Sequence, residues 1–204
     1  MVFIDNLAYS LFSIGFGGLL LLYTVTSIYF VYKRKQKNFV EYLKGASVPL
    51  ALIGAYMLIS GLFGQFTWPL PGSYNILFYD PLVSFGIILL SFSLAIKYNV
   101  KLEYAGFLAL LFGIMLIIYG FEGYNIGLTA LPVALLGMYF LYGITGIFAY
   151  PVSMIIDRLP GFERNHSRLW ETALAIFWLA LFSASLSAVA IGAMAIPAHL
   201  LSPP

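Results

Sequence analysis

Cysteine is absent from the 204 residues. That excludes disulfides, thiol nucleophiles, thiolate-ligated haem and iron–sulfur clusters, and it leaves the redox compartment open. Histidine is scarce: His166 and His199 are the only two, and neither lies inside an apolar run. A haem held by two histidines within the membrane core of one subunit is therefore not expected. Charge is scarce too. Charged residues make up 9% of the chain, against roughly 25% in a soluble domain. No apolar run carries Lys, Arg, Asp, Glu or His near its middle. Such residues mark pumps, ion pathways and proton relays, so neither an ion pump nor a retinal-type Schiff base is expected. Extended basic surfaces are missing, which argues against nucleic-acid binding.

What is present is apolar. The chain is 62% hydrophobic, with mean hydropathy +0.96. A membrane span needs about 20 predominantly apolar residues. Six runs meet or approach this: 7–32, 46–66, 80–96, 102–119, 128–149 and 169–196. They predict an all-α, polytopic bundle of six transmembrane helices in a single domain covering 1–204. All ten Lys and Arg residues fall in every second gap between runs. Lys33, Arg34, Lys35, Lys37 and Lys44 form one group, Lys97 and Lys101 a second, and Arg158, Arg164 and Arg168 a third. Cytoplasmic loops retain Lys and Arg. The expectation is a multi-pass protein of the cell membrane with loops 33–45, 97–101 and 150–168 cytoplasmic and both termini outside. Residues 1–6 carry Asp5 and no basic residue, and the run at 7–32 is too long for a signal-peptide core, so it reads as a retained first span.

Two stretches between runs stand out. Residues 67–79, TWPLPGSYNILFY, mix aromatics with Pro69, Pro71 and Gly72. Trp68, Tyr74 and Tyr79 suit a membrane–water interface, and the segment is a candidate for docking a partner. Residues 150–166 mix apolar and charged side chains between Pro151 and Pro160–Gly161, as a short helix on the inner surface would. A parallel repeat is also suggested. Gly54, Gly61 and Gly64 share their spacing with Gly113, Gly120 and Gly123, and Pro81 with Gly86 matches Pro132 with Gly137.

Candidate chemistry is thin. Asp5, Asp80, Glu122 and His199 are the ionisable residues, besides tyrosine, expected on the outer face. Asp80, Glu122 and His199 together could bind a divalent metal or relay protons, with Tyr74, Tyr79, Tyr119 and Tyr124 extending a hydrogen-bond network. Each also has a structural reading. Asp80 before Pro81 reads as an N-cap with proline at the first helical position, and Glu122 reads as a solvated carboxylate in a turn between glycines. Gln65 is expected to pair with a backbone group or a tyrosine. Asp157–Arg158 and Glu163–Arg164 read as mutually paired surface charges, and Glu171 as a dipole partner in the first turn of the last span. No metal-ligand spacing and no nucleophile–base pair is present, so no catalytic, cofactor-binding or metal residue is assigned and no cofactor is implied.

Ile- and Tyr-rich spans, the lack of cysteine, and segments such as FYDPLVSFGIILL at 78–90 give the whole chain its character. In these respects it resembles small, functionally uncharacterised multi-span membrane proteins of archaea. That resemblance implies an archaeal cell membrane and transfers no functional residue. The expected role is a non-catalytic subunit or accessory protein of a larger membrane assembly. Its partners would be the lipid bilayer and other membrane proteins, or further copies of itself. A small-solute transporter or channel is the alternative. It would need a cavity near mid-membrane lined by Tyr56, Ser60, Gln65 and Ser91. An enzyme acting at the outer face is the third reading and needs Asp80, Glu122 and His199 to converge.

Overall fold

The computed structural model describes residues 5–33, 39–158 and 168–201; within the helices, the side chains of 32–33, 39–42 and 198–199 lie outside that description. The described residues form helices α1 (Asn6–Lys33), α2 (Phe39–Thr67), α3 (Tyr74–Tyr98), α4 (Glu103–Asn125), α5 (Pro132–Arg158) and α6 (Arg168–Leu201). All six are long and apolar enough to cross a membrane. In lipid every backbone group must be satisfied within the protein, which favours uninterrupted helices. The chain is thus an all-helical, multi-pass membrane protein.

The helix ends follow local chemistry. Asp5 opens α1 by accepting from the Ala8 amide at 3.0 Å, the N-cap arrangement that satisfies an otherwise unpaired donor. Asn99 closes α3 in the left-handed region at φ 54°, and the Val100 amide returns to the Ala95 carbonyl at 3.0 Å. This is a Schellman closure with Asn in place of the usual Gly. Trp68 ends α2 with φ 51°, a conformation that is an outlier for so bulky a residue.

Each helix packs on its neighbour in sequence, and α6 closes back on α1; α1 also meets α3 across the ring. Accordingly α1 and α3 are the most buried helices, and α2 and α4 the least. Association within a bilayer rests on close packing more than on the hydrophobic effect, and glycines supply the closest approaches. A Cβ on Gly86 would lie 2.7 Å from the Leu58 amide nitrogen, and one on Gly54 3.0 Å from the Gly86 carbonyl. At the α4–α5 contact, a Cβ on Gly113 would lie 2.6 Å from the Gly143 carbonyl. At the α1–α6 contact, Gly15 and Gly18 face Ser185, and Gly192 faces Leu11. Gly17 instead faces Leu89 and Met57.

These contacts revise the repeat. Gly54, Gly61 and Gly64 meet Gly86, Val83 and Tyr79 of the following helix, while Gly113, Gly120 and Gly123 meet Gly143, Tyr139 and Leu135. The glycine halves therefore occupy like places. The Pro–x4–Gly halves do not: Pro81 lies inside α3 whereas Pro132 starts α5. Gly137 has no neighbour within 4 Å of an added Cβ. Pairing Pro81 with Pro132 misaligns the two hairpins.

Three further expectations change. The third span starts at Tyr74, not Asp80, so residues 74–79 are helix rather than interfacial loop. Residues 150–158 extend α5 with Pro151 inside it, instead of starting a separate surface helix. The remainder of that segment, with Pro160–Gly161, Glu163, Arg164 and His166, lies outside the described residues, as do 34–37 and 202–204. Asp157 is not paired with Arg158. Its two oxygens accept from the Leu102 and Glu103 amides, each at 2.9 Å. The carboxylate of α5 thus caps the N-terminus of α4, where unpaired amides and the helix dipole favour an anion.

Candidate functional site

Starting α3 at Tyr74 moves Asp80 into the second turn of a span. It lies about 9 Å along the axis at 1.5 Å per residue. A carboxylate at that depth needs donors from the protein, because lipid offers none. It has two. The Gln65 amide of α2 donates to Oδ1 at 2.7 Å, and the Tyr119 hydroxyl of α4 donates to Oδ2 at 2.6 Å. Asp80 is half-buried between them. One side chain thereby ties α2, α3 and α4 together near the end of the bundle that holds the 68–73 connection. It is not the N-cap of a helix, and Gln65 pairs with a carboxylate rather than with backbone or tyrosine.

A second polar contact sits beside the first. Pro81 has no amide hydrogen, so the Leu77 carbonyl one turn earlier lacks its helical donor. The Tyr139 hydroxyl of α5 donates to that carbonyl. Leu77 and Tyr139 are each 4% exposed, so water has no ready access to the pair. Asn75 adds a third contact. Its amide donates to the Gly64 carbonyl at 3.1 Å and its oxygen accepts from the Leu70 amide at 3.3 Å, fastening the 68–73 connection across the end of α2.

Glu122 is exposed on the last turn of α4. His199 falls in α6, where its side chain lies outside the description. Among the described residues no group of three or more His, Asp or Glu is placed to hold a metal. Of the aromatic segment, Trp68 is exposed, Tyr74 is half-buried and stacked on Phe78 with ring centroids 6.1 Å apart, and Tyr79 is buried against Gly64. Of the proposed cavity residues, Tyr56 packs edge-on to Tyr9 at 5.2 Å. Ser60 and Ser91 return their hydroxyls to the Tyr56 and Ile87 carbonyls of their own helices. Gln65 is held by Asp80. Two voids inside the bundle, one beside Phe177 and one beside Pro81, each measure about 30 Å³.

Sequence reasoning missed Asn75, Tyr139 and the role of Asp157. The signal for Tyr139 was Pro81 itself. A proline placed seven residues into a helix demands an outside donor for the carbonyl four residues before it.

No curated protein and no solved structure matches the chain. A family model covers residues 1–202, nearly the full length and all six spans. The chain belongs to the family described as protein of unknown function, DUF981.

Proposed function

We propose that this protein is a non-catalytic integral subunit or accessory protein of a larger assembly in the cell membrane. Its basic segments 33–45, 97–101 and 150–168 face the cytoplasm and its termini lie outside, following the distribution of Lys and Arg. The observation that carries the reading is the way Asp80 and Tyr139 are employed. Both oxygens of Asp80 accept from side chains of neighbouring helices, and the Tyr139 hydroxyl serves the backbone carbonyl of Leu77. These contacts join helices and commit both groups to holding the bundle together. The half-exposed Trp68 and the neighbouring Phe66, 85% exposed, present an aromatic edge suited to a membrane partner.

Purification from native membranes in a mild detergent tests this. A second chain should co-purify in fixed ratio, and Trp68→Ala should release it while the bundle keeps its melting temperature. A lone chain at native expression, with no co-purifying protein, would count decisively against the proposal.

The transporter reading draws on one observation, the shared glycine register of the α2–α3 and α4–α5 hairpins. It requires an opening motion, because interior voids of about 30 Å³ hold little more than one water each. Solute flux into liposomes carrying the purified chain would support it over the first reading.

A further inference from the structure

At the basic end of the bundle, the termini of four spans meet around a cleft of about 360 Å³. Lys44 comes from the start of α2, Lys101 from the α3–α4 turn, and Arg158 from the end of α5. Two carboxylates also line it, Glu103 and Asp157, and both are already engaged. Asp157 accepts from two amides of the α4 N-terminus. Glu103 pairs with Lys101 at 3.3 Å. Among the described residues no carboxylate pairs with Lys44 or Arg158. Lys44 and Arg158, with no carboxylate partner among the described residues, thus line one recess.

The floor of the recess is apolar. Ile96 and Leu102 are buried there and also line the void beneath, against Phe177. The cleft thus offers cationic walls, an aliphatic floor and a position at the level where the spans end. Its volume falls within the usual range of about 300–1,000 Å³ for small-ligand sites. Arginine presents a planar fork that matches phosphate oxygens in pairs, and lysine adds a point charge. Basic pockets between span ends favour phosphate-bearing head groups.

We propose that this cleft binds a phosphate group between Arg158 and Lys44, delivered either by the head group of an anionic phospholipid or by a soluble phosphate. The site stands independently of the subunit reading above. It needs only the four span ends.

Two arms of one experiment separate the sources. In the first, the purified protein in a neutral detergent is offered equal amounts of phosphatidylglycerol and phosphatidylcholine, and native mass spectrometry counts retained lipids. In the second, calorimetry measures inorganic phosphate and pyrophosphate binding to the delipidated protein. Preferential retention of phosphatidylglycerol assigns a lipid head group, and saturable heat with phosphate or pyrophosphate assigns a soluble ligand. In whichever arm binds, the pair Lys44→Ala with Arg158→Ala should weaken binding roughly tenfold or more, as loss of charge-assisted hydrogen bonds does. Arg158→Lys should recover only part of that loss. Lys97→Ala, a cation of the same end that does not line the cleft, should leave binding unchanged. Lys44, Lys97 and Arg158 are exposed, and unchanged melting temperatures would confirm that the variants fold. Absence of selective binding in both arms overturns the proposal. So does a loss with Lys97→Ala equal to that of the cleft variants, since it would reduce the effect to general surface charge.

Discussion

The contact between Tyr139 and Leu77 can be weighed against the proline that creates the need for it. Tyr139→Phe removes one hydroxyl and keeps the ring. The Leu77 carbonyl then loses its donor from α5, and Pro81 supplies none from α3. Both residues are 4% exposed, so water does not readily replace the donor. Leaving a buried carbonyl unsatisfied costs about 1–3 kcal/mol, while membrane hydrogen bonds measured by double-mutant cycles average about 0.6 kcal/mol. A loss of about 1–2 kcal/mol is expected from Tyr139→Phe, between those figures and toward the upper one because no helical donor remains. Pro81→Ala restores an amide at the position that normally serves the Leu77 carbonyl. In that background Tyr139→Phe should cost about 0.5 kcal/mol or less, the value of a bond whose acceptor keeps another partner. The coupling between the two sites, about 1 kcal/mol, is the quantity of interest. Reversible unfolding by SDS in mixed micelles, followed by circular dichroism, measures all four corners of the cycle. Equal losses in the two backgrounds would refute the reasoning, because the Tyr139 hydroxyl would then be compensating for nothing that Pro81 removed.

Other consequences can be measured on the same material. Asp157→Ala should destabilise the bundle by about 1 kcal/mol, as loss of an N-cap does, and should speed amide exchange at Leu102 and Glu103; unchanged exchange there would deny the capping role. Gly113→Ala should cost about 1–3 kcal/mol by overpacking the contact with Gly143, whereas Gly137→Ala, which meets open space, should gain up to about 1 kcal/mol of helix propensity; SDS unfolding that ranks them the other way would restore the Pro–x4–Gly alignment. For orientation, Gly127→Cys should react with an impermeant thiol reagent on intact cells and Lys101→Cys only after the membrane is opened; the native chain has no cysteine to confuse the result. Labelling of Lys101→Cys on sealed cells would invert the proposed topology.

Span number was legible because apolar runs and the basic gaps between them repeat the same message in two independent ways. Span ends were less legible, and the third span shows why. Residues 67–79 carry two prolines and a glycine, and Asp80–Pro81 has the form of a helix start. In the fold only 68–73 form the connection, and the helix runs through Asp80–Pro81. What permits this is distant in sequence: Gln65 and Tyr119 solvate the carboxylate, and Tyr139 replaces the missing amide. Local propensity cannot report donors that arrive from other helices. Asp157 was misread for the same reason. Its neighbour Arg158 suggested a charge pair, but its donors lie more than fifty residues earlier, on the far side of the α4–α5 hairpin. The glycines of α2 and α4 were legible as a spacing. Their partners were not, because spacing on one helix does not set the register of the next.

With 9% of residues charged, the employment of each charged group narrows what the fold can do. Asp5 opens α1, Asp80 joins three helices, Asp157 closes α4 onto α5, and Glu103 holds Lys101. Each carboxylate just named answers a need created by a helix end, a loop or a burial site. An aspartate side chain held by two neighbouring donors inside a bilayer also stabilises one arrangement of its helices over others, since moving any one of them strips it of a partner. Asp80 therefore favours a rigid α2–α3–α4 unit, and the glycine contacts of both hairpins point the same way. Rigidity suits a subunit that presents fixed surfaces to its neighbours more than a carrier that must open. By the same accounting, the charges left over are the informative ones. Lys44 and Arg158 serve no carboxylate among the described residues, yet they face one recess where four spans end. Where Asp5, Asp80, Asp157 and Glu103 serve the joints of the fold, two cations that line a shared cleft without a described carboxylate partner are the groups that invite an anion from outside the chain.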